Sequence, residues 1–146
     1  MKNGGYALGS PDGNFAKVGA LADSELVLDL GAWLTIYPGM ALAVYERAAG
    51  PGPGILQDQQ VVSVGGDRNA GGAIVWTVVY IWGDETGEDP DTFIPEADLH
   101  NGTAFLIDLS NVDHAVRWIR FQNYPAGVQR PPNEQVEVDA VEILYP

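Results

Sequence analysis

Glu25-Leu26-Val27-Leu28-Asp29-Leu30-Gly31 sets Leu26, Leu28 and Leu30 on one side of an extended chain, with Glu25, Val27 and Asp29 on the other. A period of two is the signature of a strand with one face in a core and one in water. The same alternation returns near the other end of the chain, in Ala115-Val116-Arg117-Trp118-Ile119-Arg120-Phe121 and in Val138-Asp139-Ala140-Val141-Glu142-Ile143-Leu144. Between them, Met40, Leu42 and Val44 repeat it, Val61 to Val64 reads as a short strand, and Thr103 to Leu109 as another. Ile74 to Trp82 is apolar on both faces, the pattern of a strand lying between two layers. The total is about eight or nine strands.

Eighteen glycines and ten prolines divide these runs. No stretch keeps a helical period, and Asp23 to Leu30 or Glu96 to Leu99 offers a turn of helix at most. Short strands, Gly/Pro turns and no helices predict an all-β sandwich or barrel, with residues 1–146 as a single domain. Ala49 to Gly54, Asp84 to Asp91 and Pro125 to Glu134 read as loops.

Twenty acidic residues against seven basic ones give a formal charge of −13, which repels phosphate backbones and anionic headgroups. Nucleic acid and membrane surfaces are therefore poor partners. No apolar run reaches the length of a membrane helix, and no secretory leader pattern is visible. The absence of cysteine excludes disulfides, thiolate metal sites and cysteine nucleophiles.

The sequence carries no His-Glu-x-x-His pair, no Gly-x-Ser-x-Gly elbow and no phosphate-cradling glycine motif. His100 and His114 both sit at polar turns with no nucleophile signalled beside them, so no enzyme is expected. The acidic run Asp84 to Asp91 reads either as a solvated loop or as a loop with calcium-like alternation at Asp84, Thr86 and Glu88. Aromatics are the other candidate, because sugar rings stack on exposed aromatic faces beside hydrogen-bonding side chains. Trp76, Tyr80 and Trp118 fall mid-strand and read as core. Trp33, Trp82 and Tyr124 fall near strand ends, and Asn123 and Arg130 are the polar residues near Tyr124 in sequence. Those five form the candidate carbohydrate site.

The segments Ala7-Leu8-Gly9-Ser10-Pro11-Asp12-Gly13, Leu26 to Gly31, Leu42 to Glu46, Val116 to Arg120 and Val138 to Glu142 together resemble bacterial surface and secreted domains. Those domains have a galactose-binding-like jelly roll related to discoidin-type carbohydrate modules. The resemblance covers both ends of the chain and the second and third strands; it does not cover about Gly50 to Ile94. It implies an antiparallel two-sheet jelly-roll β-sandwich, first and last strands adjacent, in an extracellular or cell-surface setting. It also implies a structural calcium between the N-terminal loop and the last strand, held by Asp12, Asn14, Asp139 and Glu142 as hard oxygen ligands. Gly39-Met40-Ala41-Leu42 stands where such domains often carry an acidic residue. The expected function is a non-catalytic carbohydrate-binding or adhesion module whose partner is a glycan or surface polymer. The alternative is a structural, self-associating module of a surface protein with no small ligand.

Overall fold

The computed structural model describes residues 16–19, 24–46, 54–83, 91–124 and 136–146. Eleven strands lie in them: β1 Ala16–Lys17, β2 Glu25–Leu34, β3 Ala41–Tyr45, β4 Gly54–Asp58, β5 Gln60–Arg68 and β6 Ile74–Trp82, then β7 Asp91–Pro95, β8 Ala104–Asp108, β9 Val116–Asn123, β10 Glu137–Val138 and β11 Ala140–Leu144. A 3-10 turn, Glu96–Asp98, is the helical element among the described residues. Every strand pair is antiparallel.

A four-stranded sheet has the order β2-β9-β5-β6, and a three-stranded sheet the order β11-β3-β8. Leu26, Leu28, Val62, Val64, Ile119 and Phe121 from the first meet Leu42, Val44, Phe105 and Ile107 from the second in one buried cluster. This all-β arrangement of antiparallel sheets is compatible with a β-sandwich. Phe121 is fully buried, and removing such a side chain from water is worth about 1.5–3 kcal/mol. The smaller pair β1–β10 matches Ala16 to Val138 and Lys17 to Glu137, so the first and last parts of the described chain lie side by side. β4 pairs with β7 in a fourth sheet.

Ile74 to Trp82 departs from the expectation of a strand between two layers. β6 is the edge of its sheet, paired with β5 alone, and Val75, Val78 and Ile81 are each about half exposed. Its other face is buried as expected, with Val79 and Tyr80 packed on the core. Trp118 is buried as expected but lies outside the main cluster, and Trp76 is only half-buried. Ile119 and Phe121 point inward, so the alternation puts Trp118 and Arg120 on the outer face. There the Arg68 and Arg117 guanidinium groups stand 4.9 and 5.7 Å from the Trp118 ring centroid, and Arg120 stands 4.5 Å from that of Trp76. Gly65 makes room for this layer: a Cβ there would meet Ile74 Cγ2 at 2.5 Å and the Trp76 ring at 3.0 Å.

Four consecutive polar residues, Gln57-Asp58-Gln59-Gln60, are all buried where β4 passes into β5. Each has a bonded partner in the surrounding strands. Gln57 Nε2 donates to the Tyr80 hydroxyl at 2.6 Å, and Gln60 Nε2 to Glu46 Oε1 at 2.8 Å. Asp58 Oδ2 accepts from the Glu137 N–H at 3.1 Å, and the Gln59 carbonyl accepts from the Tyr124 N–H at 3.2 Å. Buried polar groups persist only when so paired, and this junction ties β3, β6, β9 and β10 to one corner.

Candidate functional site

A groove of about 550 Å³ opens between the two edge strands β6 and β8. Trp82, at the end of β6, lines one side, and Ala104, Phe105 and Leu106 of β8 line the other. Gln57 and Ile94 contribute from the β4–β7 pair, and Ala97, Asp98, Leu99 and His100 from the 3-10 turn and the chain after it. Edge strands make such a site available because neither is covered by a further described strand.

Three aromatic rings brace the groove. Phe105 stacks on Tyr80 with centroids 5.1 Å apart, and Tyr80 lies parallel to Trp82, 1° between planes and 6.4 Å between centroids. The ladder runs from the core, where Phe105 is buried, to the half-buried Trp82. Burial raises the Tyr80 phenol above its ordinary pKa, against the lowering effect of the Gln57 hydrogen bond, so the ring stays neutral over the physiological range.

The turn Asn101-Gly102 follows His100, which lines the groove. Asn101 has a φ of 51° and Gly102 one of 81°, which lets His100 and Ala104 pair as an antiparallel bridge. Asparagine and glycine are the residue types that accept this left-handed backbone. Asn101 Nδ2 donates to the Tyr45 hydroxyl at 2.9 Å, which in turn donates to Glu142 Oε1 at 2.9 Å. His100 Nε2 lies 3.5 Å from the same carboxylate oxygen and 3.2 Å from Asn101 Nδ2. The Tyr45 and His100 rings meet edge to face. Burial raises the Tyr45 phenol pKa; Asn101 opposes the shift and Glu142 adds to it.

The sequence-predicted carbohydrate residues do not share one place. Trp82 is in the groove, whereas Trp33 packs edge-on against Trp118 with centroids 5.6 Å apart, at the far end of the four-stranded sheet. Trp82 pairs in register with Gln60, and Gln60 with Asn123, five positions along β9 from Trp118. At about 3.4 Å per residue this separates the two rows by roughly 17 Å, beyond the span of one sugar ring. Trp33 is 53% exposed. Tyr124 is half-buried, with its backbone bonded to Gln59. The Asn123 side chain is buried and used internally: Nδ2 donates to the Gly19 carbonyl at 2.7 Å, and Oδ1 accepts from the Val136 N–H at 3.2 Å. Arg130 lies outside the described residues.

The cation set is divided as well. Asp12 and Asn14, like positions 84–90 of the acidic run, lie outside the described residues. Asp139 is buried, with its N–H bonded to the Tyr45 carbonyl at 2.8 Å. Glu142 is exposed, and its carboxylate is engaged by Tyr45 and His100 on the outer side of the three-stranded sheet. Among the described residues no group of three or more His, Asp or Glu side chains is placed to hold a metal ion.

Gln57, Asp98 and His100 are the groove residues that sequence reasoning missed. Gln57 sat in a polar run that resembles a loop, and Asp98 was one acid among twenty. The Asn-Gly pair at 101–102 was the available signal, because it marks a tight turn that fixes its neighbours. No family model matches this chain, and no curated protein or solved structure matches it.

Proposed function

We propose that the chain is a non-catalytic carbohydrate-binding module, a galactose-binding-like jelly roll of an extracellular or cell-surface protein. The glycan lies in the groove between β6 and β8. The observation that carries this reading is Trp82, a half-buried ring held parallel to Tyr80 at a groove that also offers an amide, a carboxylate and an imidazole. Apolar sugar faces stack on such a ring, and side chains of those three types bond hydroxyls. The jelly-roll assignment draws on the resemblance at both ends of the sequence and on the β1–β10 pairing that joins them. Calcium enters only as a structural ion of the terminal region, through Asp139 with Asp12 and Asn14.

The test is retention on a panel of immobilised polysaccharides. Trp82→Ala abolishes retention, because truncating a central stacking aromatic costs about 2 kcal/mol or more. Trp33→Ala keeps it. Failure of the wild-type protein to bind any polysaccharide, or a Trp82→Ala variant that binds normally, overturns the reading.

A second reading has its own observation. The half-exposed Val75, Val78 and Ile81 on edge strand β6 favour a self-associating structural module. Long uncharged edges of this kind invite pairing with another strand.

A further inference from the structure

Resting on the carbohydrate reading, the charges around the groove narrow the ligand class. We propose that the groove selects a sugar bearing a protonated amine, of the glucosamine type, over neutral sugars and rejects acidic ones. Asp98 is exposed at the groove and is the one carboxylate among the described residues lining it. Two further carboxylates stand beside its lining residues without lining it. Glu96 shares the 3-10 turn with Asp98, its Oε1 lying 3.3 Å from where a Gly102 Cβ would stand, and Glu142 lies 3.5 Å from His100 Nε2.

Among the described residues no lysine or arginine lines the groove. Arg68, Arg117 and Arg120 lie instead around the outer-face tryptophans, where Asp29 and Glu25 pair with the last two. A uronate or sulfated sugar would therefore bring its charge against Asp98, with no lysine or arginine among the described lining residues to receive it. An ammonium group on a sugar stacked on Trp82 meets the opposite situation, and its attraction to Asp98 adds to the stacking. The chain's charge of −13 works in the same direction at long range.

The experiment compares glucosamine, N-acetylglucosamine and galacturonate oligomers of equal length by calorimetric titration at low and high salt. The amine oligomer binds tightest, the acetylated one more weakly, and the uronate not measurably. Asp98→Asn lowers affinity for the amine oligomer about two- to fivefold more than it lowers affinity for the acetylated oligomer, the scale of an exposed ion pair. High salt removes the preference in the wild-type protein by screening. Binding of galacturonate as tight as that of glucosamine overturns the inference, as does an amine preference that survives Asp98→Asn. Binding of the acetylated oligomer with no amine preference also sinks the inference but leaves the groove reading standing. Failure of all three oligomers sinks both.

Discussion

Asn123 Nδ2 donates to the Gly19 carbonyl at 2.7 Å, joining the last turn of β9 to chain 104 residues earlier. The same amide accepts from Val136 N–H at 3.2 Å through its oxygen, so one side chain clamps the chain beside β1 to the chain entering β10. A sequence next to Tyr124 suggested a sugar ligand for Asn123; its geometry makes it a staple.

Asn123→Ala should therefore destabilise the fold and leave glycan binding alone. It leaves a donor and an acceptor in the interior unpaired, at a cost of about 2–3 kcal/mol. Urea unfolding measures the loss, and polysaccharide retention at a temperature well below the new midpoint should equal that of the wild type. A variant with wild-type stability and lost retention would return Asn123 to the binding site.

The buried phenols predict an alkaline limit. Burial raises the pKa of both Tyr45 and Tyr80 in the folded chain, while in the unfolded chain each ionises near about 10. The folded state thus holds protons that the unfolded state releases, and stability falls as pH rises. The contribution is complete below about pH 10 and is lost as pH climbs from there through the folded-state values. Tyr80→Phe should lessen this alkaline loss. It should also cost about 1 kcal/mol near neutral pH, since the Gln57 amide loses the acceptor it holds at 2.6 Å. Circular dichroism followed across the alkaline range checks both signs; an identical alkaline midpoint for Tyr80→Phe would exclude the phenol as a cause.

Much of the frame was legible in the sequence because burial imprints a period. Leu26, Leu28, Met40, Leu42 and Val44 alternate in sequence and sit in one core. The Glu96–Leu99 turn appears as the 3-10 turn, whereas the Asp23 to Leu30 candidate is strand β2 from Glu25 onward. Gln57 to Gln60 was illegible for the opposite reason: hydrogen bonds to Tyr80 and Glu46 offset their burial, and hydropathy does not record partners. Ile74 to Trp82 misled because alternation reports which residues are apolar, whereas only the sheet order reveals an edge. The site was divided for a related reason. Trp33 and Trp82 both fall at strand ends, but sequence does not say at which end of a sheet each strand finishes.

Calcium offers a test of the divided ligand set. Should Asp12, Asn14 and Asp139 bind the ion, millimolar calcium raises the melting temperature relative to chelator, since a ligand of the folded state stabilises it by mass action. Glu142→Ala should leave that shift intact, because its carboxylate is already engaged by Tyr45 and His100. Loss of the shift in Glu142→Ala would restore Glu142 as a ligand. An unchanged melting temperature in the wild type would remove calcium from the account.

The β6 edge decides between the binding and the assembling readings. Ile74-Val75-Trp76-Thr77-Val78-Val79-Tyr80-Ile81-Trp82 contains no charge, proline or glycine, in a chain of net charge −13. Two copies meeting elsewhere on an acidic surface face repulsion, whereas two β6 strands meet without it. Protected edges carry an exposed lysine that blocks pairing. Ile81→Lys supplies one on the half-exposed outer face, away from the Tyr80–Trp82 stack. If the domain self-associates through β6, sedimentation velocity of the wild type shows a weight-average mass rising with concentration, and Ile81→Lys holds it at one chain. The groove's polysaccharide retention should survive that substitution. A wild-type protein that stays at one chain at the highest soluble concentration removes the assembling reading, and a mass that still rises in Ile81→Lys moves the contact off this edge.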